Sequence, residues 1–209
     1  MTLKEQAYKQ LRRQIINGEL KSGEFLSERF LEEKLGMSRT PIRSALERLQ
    51  VEGFIKVSPN QGIIVEEMSI KKVVDIYDLR VALESYVVRK LSIRGLKEAE
   101  ISLVRQNLEE QKKWMELRDE DTFINKDTEY HLLLAQIYGN DEIVGIINQN
   151  YDKLRINALR VLYKNADAIS KMYEHHVCIF ELIIKRKEED AAKEMANHLE
   201  YGKHILVHY

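Results

Sequence analysis

Asp127 and His131 lie four residues apart, so on a helix they share one face. Ile124, Asp127, His131, Leu134 and Tyr138 follow a 3-4-3-4 spacing, which puts both polar groups on a seam that faces a bundle interior. A carboxylate and an imidazole inside a core need partners. Two more histidines sit in similar company: His176 is followed by Ile179, Phe180 and Ile183, and His198 aligns with Ala191, Met195 and Gly202. One carboxylate and three imidazoles from three helices could surround a divalent cation, with Zn2+ first and Ni2+ or Mn2+ as alternatives. The same residues also fit a simple hydrogen-bonded Asp127–His131 pair beside two ordinary histidines, because spacing alone does not make the helices converge. His175, with Cys178, Ile179 and Leu182 near it, is not separated from His176 by periodicity. Cys178, on the other side of the helix from His176, is expected to be a small core residue. His204 and His208 are expected on the surface.

Arg80 poses the same problem with the opposite charge. Val73, Ile76, Arg80, Leu83 and Val87 form another 3-4-3-4 seam, and a guanidinium there must meet an anion or reach a wet cavity. Glu84, one turn on, is one partner; the carboxylate of a small effector is the other. Arg155 is a weaker candidate for the same role, and Asn140 reads as a helix cap.

A second chemistry lies near the N-terminus. On a helix starting at Arg39, Ile42, Ala45, Leu46 and Leu49 share one arc, and Arg39, Thr40, Arg43 and Ser44 share another. The apolar arc docks the helix and leaves the polar one outward. Arg39 and Arg43 are one turn apart, and an arginine can make two parallel hydrogen bonds to guanine in the major groove. Ser38 and Thr40 suit phosphate contacts at the helix N-terminus, where free N–H groups favour anions.

These side chains need elements to hold them. Gly (9) and Pro (2) are scarce in 209 residues, so a mostly helical fold is expected. Leu3–Ile16 has helical periodicity and ends at Asn17-Gly18; Ser27 caps a helix over 28–35 that Gly36 stops; Ser38 caps another over about 39–52. Met37 and Ile42 are placed as a hydrophobic staple. FIKVSP and GIIVEE around Asn60-Gln61-Gly62 read as a hairpin. Helices are then expected near 70–94, 97–118, 120–138, 141–164, 167–186 and 188–206. The fold class is therefore mainly α: a winged helix-turn-helix over 1–68 and an all-helical bundle of about six helices over 69–209. Through Met68 there are 11 Lys+Arg against 10 Asp+Glu, so any nucleic-acid surface is a local one. A single cysteine excludes an internal disulfide or a cysteine-rich zinc site, and no apolar run suggests a membrane span or secretory signal. A cytoplasmic location is expected.

GELKSGEFLSERFLEEKLGMSRTPIRSALERLQVEGFIKVSPNQGIIV resembles the N-terminal domain of the GntR family of bacterial transcription regulators, with MSRTPIRSALERLQVEGFI its most specific part. The resemblance implies DNA contacts from Arg29, Ser38, Arg39, Thr40, Arg43 and the wing-tip Gly62. The rest of the chain is similar to the FCD-type effector domain of one GntR subfamily. DTEYHLLLAQIYGND resembles its aspartate–aromatic–histidine motif, and HVCIFELI and MANHL resemble its later histidine motifs. The ligands implied are Asp127, His131, His176 and His198, with Arg80 and Arg155 toward the effector. Arg186-Lys187 stands where the subfamily has an acidic residue or Gly-Asp, so the last helix is expected to start differently. A homodimer on a short palindromic double-stranded DNA operator, controlled by a small organic acid, is implied, usually as a repressor. Two other readings remain: a metal-dependent hydrolase with Glu129 or Glu174 as base, and a DNA-binding protein with a purely structural metal.

Overall fold

Several helices start where a side-chain oxygen takes an otherwise unpaired N–H. In the computed structural model Thr2 Oγ1 accepts from Glu5 N–H at 3.3 Å to open α1 (Leu3–Ile16). Ser27 Oγ accepts from Phe30 N–H at 3.1 Å to open α2 (Glu28–Leu35). Gly36, in the left-handed region at φ 63°, ends that helix and lets α3 (Arg39–Val51) start within three residues. Ser38 has N-cap backbone geometry, but its hydroxyl makes no capping hydrogen bond.

The structure describes residues 2–58, 62–66, 69–162 and 166–208; within them, the side chains of 152, 153, 155–162 and 166 lie outside the description. The chain divides into two compact units, Met1–Met68 and Ser69–Tyr209. In the first, α1 packs on α3. Ala7, Leu11 and Ile15 of α1 and Ile42, Ala45 and Leu49 of α3 are at most 2% exposed. The hairpin forms as β2 (Ile55–Ser58) and β3 (Gly62–Val65), antiparallel in the register Ile55↔Val65 to Ser58↔Gly62. Phe25–Leu26 adds a short strand, β1, to the other side of β3, which the sequence reading omits. Two residues carry too little periodicity to declare a strand. Gly62 has φ 83°, and a Cβ there would lie 2.9 Å from the Leu26 carbonyl oxygen, so β1 can pair only with glycine at that point.

The second unit has α4 (Ile70–Arg94), α5 (Glu98–Glu116), α6 (Glu120–Tyr138), α7 (Asp141–Leu162), α8 (Ala166–Ile184) and α9 (Glu188–His208). Ser69, Asp119 and Asn140 cap α4, α6 and α7. The break between α8 and α9 turns on Arg186 at φ 57°. Its guanidinium lies over Gly95 just past the C-terminus of α4, so close that a Cβ at Gly95 would meet Nη2 at 2.7 Å. The most extensive helix pairing is α4 with α9. It is close because Gly202 has no side chain: a Cβ there would be 2.9 Å from the Tyr77 hydroxyl and 3.3 Å from its ring. None of the helices, among the described residues, is long and apolar enough to cross a membrane.

Tyr77 is 6% exposed, so it has little room to retreat. Gly202→Leu is therefore expected to cost about 1–3 kcal/mol through overpacking, read as a lower thermal midpoint. An unchanged midpoint would contradict the close α4–α9 contact.

Candidate metal centre and DNA-facing helix

α6 contributes Asp127 and His131, α8 contributes His176, and α9 contributes His198. One ligating atom from each lies within 4.8 Å of the other three, and all four residues are buried. The three Nε2 atoms form a triangle: 3.2 Å from His176 to His131, 3.1 Å from His176 to His198 and 3.1 Å from His131 to His198. Asp127 Oδ1 is 3.5 Å from His176 Nε2 and, like His198 Nδ1, has no hydrogen-bond partner among the described residues. The seam spacing puts each side chain inward; the convergence comes from helix packing.

Burial governs the protonation of this cluster. It pushes His176 and His198 well below the ordinary histidine range, and neighbouring imidazoles add to the shift. Burial also raises the Asp127 carboxyl, against the pull of His131 and Arg80. Ring nitrogens turned to a common point, beside an unpaired carboxylate oxygen, are what a divalent cation coordinates. The separations fit: nitrogens about 2.0–2.1 Å from one zinc are roughly 3 Å apart when the angles between them are near 90–100°.

Behind the ring nitrogens sit groups that the spacing argument does not identify. Glu84 Oε2 lies 2.5 Å from His131 Nδ1. Gln111 Oε1 accepts from His176 Nδ1 at 2.8 Å, and Gln111 Nε2 donates to Asn107 Oδ1 at 2.7 Å. Tyr130 stacks on the His176 ring at 4.2 Å and donates to the His176 carbonyl at 3.0 Å. Asn107 and Gln111, with Val104 and Leu108, were as visible a polar interruption of an apolar seam as Arg80 is.

Arg80 is 5% exposed, and its Nε donates to Glu84 Oε1 at 2.7 Å. Its Nη2 donates to the Tyr151 hydroxyl, which in turn reaches Glu84 at 3.3 Å. The pairing with Glu84 is thus present, and Arg80 also lines a small cavity with Tyr77, Asp127, Thr128, Tyr151 and His198. Burial opposes the charge on both partners. The Glu84 carboxylate more than offsets this for Arg80, whose pKa ends above its usual value, and Arg80 and His131 bring the Glu84 carboxyl down to about 2. The Arg155 side chain lies outside the described residues.

His175 does not join the cluster: its Nδ1 meets Glu194, and it is half-buried. Cys178 corrects the expectation of a core residue, since it is exposed. Two residues past His176 means about 200° around α8, and the face opposite a buried ligand is the solvent side. His204 and His208 are exposed. Glu129 is exposed and pairs with Lys126 at 2.8 Å, and Glu174 is exposed, so neither stands at the cluster as a catalytic base.

In the N-terminal unit, Ser38, Arg39, Thr40 and Arg43 are exposed on α3 while Pro41, Ile42, Ala45, Leu46 and Leu49 are buried. Gly62 is exposed at the start of β3; Asn60 and Gln61 of the hairpin tip lie outside the described residues. Glu28 of α2 accepts from Arg43 at 2.9 Å and lies 3.4 Å from Arg39, which also meets Glu32 at 3.2 Å. Arg29 meets Glu33 at 2.9 Å. Such exposed pairs are weak.

Comparison with known proteins matches residues 3–65 to the family described as bacterial regulatory proteins, gntR family, and residues 75–201 to the FCD domain. The HTH-type transcriptional regulator YdhC of Bacillus subtilis is 31% identical over 96% of this chain and 91% of its own length. The gluconate operon transcriptional repressor of Bacillus licheniformis is 30% identical over 94% of this chain and 72% of its own. The solved structure of E. coli McbR/YncC superposes with a TM-score of 0.82 at 24% identity, covering 99% of this chain and 97% of that one.

The Arg80–Glu84 pair supplies a direct test of the core electrostatics. Arg80→Met leaves a buried carboxylate without its counter-charge and is expected to cost about 3–5 kcal/mol, much of it recovered when Glu84→Leu is added. Urea denaturation of both variants reads this; an Arg80→Met protein as stable as the parent would contradict it.

Proposed function

The chain belongs to the GntR family of bacterial regulatory proteins and carries an FCD domain, so it is a DNA-binding transcriptional regulator, and we propose that its operator affinity is set by a small carboxylate bound beside a divalent cation in the helical unit. The observation that carries this reading is the Asp127–His131–His176–His198 cluster, closed within 4.8 Å and buried, in the same chain as an arginine-bearing α3. These four residues would hold the ion, Zn2+ in first place, and the ion would supply a Lewis acid for a carboxylate oxygen. The imidazoles suit Zn2+ and Ni2+, and the carboxylate admits Mn2+. The residues of this chain do the rest. The cavity beside Asp127 and His198 has a volume of about 40 Å3, room for roughly three water-sized groups. A carboxylate fits that space, with the Arg80 guanidinium and the Tyr77 and Tyr151 hydroxyl-bearing rings lining it. A larger acid must displace the wall formed by Tyr151 and Leu154 of α7 and Met172 of α8, which makes binding and helix position one equilibrium.

The chain acts as a homodimer, placing two α3 helices in successive major-groove turns of a short palindromic operator. Arg39 and Arg43 reach base edges there, Arg29, Ser38 and Thr40 take phosphates, and Gly62 lets the wing approach the backbone. A coupling of about 1–3 kcal/mol between effector and DNA is enough to switch occupancy. Repression is the sign proposed, in line with a relative named as an operon repressor.

Two experiments test the reading. Selection from random duplexes by the full chain is expected to return a palindrome, and Arg43→Ala is expected to reduce preference for it about tenfold or more while circular dichroism is unchanged. Retained specificity would remove α3 as the reader. Elemental analysis of the purified protein is expected to find close to one divalent ion per chain, falling sharply in His176→Ala and His198→Ala; unchanged stoichiometry would reject the ligand set.

A further inference from the structure

The helix α5 supplies no ligand to the cluster, yet two of its polar side chains are buried against it. Asn107 is 8% exposed and Gln111 is 0% exposed. They lie one turn apart on the inner face of α5 and form a chain of three hydrogen bonds whose direction can be worked out from one end. At that end is the carbonyl oxygen of Lys126, on the residue before Asp127. A carbonyl only accepts, so the Asn107 group 3.1 Å from it must be the amide NH2. That leaves Asn107 Oδ1 facing Gln111, so Gln111 must present its own NH2 across the 2.7 Å contact. Gln111 Oε1 then faces His176 Nδ1 at 2.8 Å, and since both cannot be acceptors, Nδ1 must carry a proton. A neutral ring protonated at Nδ1 has a bare lone pair at Nε2, the atom that faces the nitrogens of His131 and His198. Reversing the chain would set two acceptors 3.1 Å apart at Lys126, in a place with little access for water.

We infer that Gln111, aimed by Asn107 from the Lys126 carbonyl, is a positioning residue that fixes the His176 tautomer and presents its Nε2 lone pair to the cation. The purpose assigned to this relay depends on the metal reading above; its geometry does not. The relay explains why α5 carries amides rather than apolar residues at two points of its inner face, and why an Nε2 lone pair tolerates two other imidazole nitrogens at close range: it is held there before an ion arrives. It also ties two ligand-bearing helices together, because its ends are the backbone of α6 and a ring on α8. Outer partners of this kind commonly change metal affinity 10–100-fold.

The test uses the full chain with histidine labelled with nitrogen-15, stripped of metal with a chelator, and long-range proton–nitrogen spectra, with the His176 signals identified by their loss in His176→Asn. The wild type is expected to show His176 protonated at Nδ1 and bare at Nε2. Gln111→Leu should shift it toward a mixture of the two forms, and Gln111→Glu, which gives up the NH2 that bonds Asn107 but keeps an acceptor against Nδ1, should hold the proton on Nδ1. Zn2+ titrations against a competing chromophoric chelator should then give a Kd 10–100-fold weaker for Gln111→Leu and within a few-fold of wild type for Gln111→Glu. If Gln111→Leu does not fold, Asn107→Ala, which frees the Gln111 amide to rotate, should move both readouts in the same direction. A wild-type His176 protonated at Nε2, or equal loss of Zn2+ affinity in the Leu and Glu variants, overturns the inference. A wild type with the expected tautomer that takes up no Zn2+ upholds the relay and overturns the metal reading instead.

Discussion

Three imidazole nitrogens facing one another at 3.1–3.2 Å are the constraint on which the helical unit turns. A hydrogen bond needs one donor and one acceptor, so a triangle of like atoms always leaves one unfavourable edge. The hydrogen bond from Nδ1 of His176 to Gln111 makes its Nε2 a lone pair, and the Glu84 carboxylate favours the same form for His131. Burial takes away both obvious remedies: water has little access to solvate the nitrogens, and desolvation opposes protonating His176 or His198. An arrangement that is costly with nothing between the rings becomes favourable with a cation between them. Asp127, with one buried oxygen unpaired, adds the negative charge that a cation would balance.

Several other polar groups among the described residues of this core pack around that triangle. Arg80 and Glu84 neutralise each other one turn apart on α4, and Tyr151 of α7 joins both. Breaking such a pair leaves a buried charge, which is why the ionic cluster is stable only as a set. Gly202 lets α9 approach α4 closely enough for His198 to arrive, and Tyr130 covers one face of the His176 ring. The same logic operates at lower stakes in the N-terminal unit, where Glu28 and Glu32 orient Arg39 and Arg43 on a surface that water reaches freely.

The helices were legible because their ends carry chemistry. Expected spans such as 70–94 and 120–138 coincide with α4 and α6, where Ser69 and Asp119 cap the starts and Gly95 and Gly139 end them. The winged helix-turn-helix was legible in its three helices and hairpin, while β1 was too short to leave a pattern. For the cluster, the 3-4-3-4 seams place Asp127, His131 and Arg80 inward, but periodicity on one helix says nothing about its neighbours. It left His175 and His176 unresolved, and packing of α8 against α5 and α9 separates them, turning one ring to Glu194 and the other to Gln111. Gln111 and Asn107 are not marked out by spacing, because an uncharged amide on an apolar seam demands no counter-charge. Cys178 is exposed because its angular position on α8 lies opposite His176, and small size does not override that position.

The central claim is that the three rings and Asp127 converge on a cation. Anomalous diffraction at the zinc, nickel and manganese edges, from crystals of the wild-type chain grown without added metal, tests it most directly. The account predicts one strong peak per chain, bonded to Nε2 of His131, His176 and His198 and to an oxygen of Asp127. A map with no anomalous signal at that point, and with the imidazoles bridged by ordered water or hydrogen-bonded to one another, would contradict it.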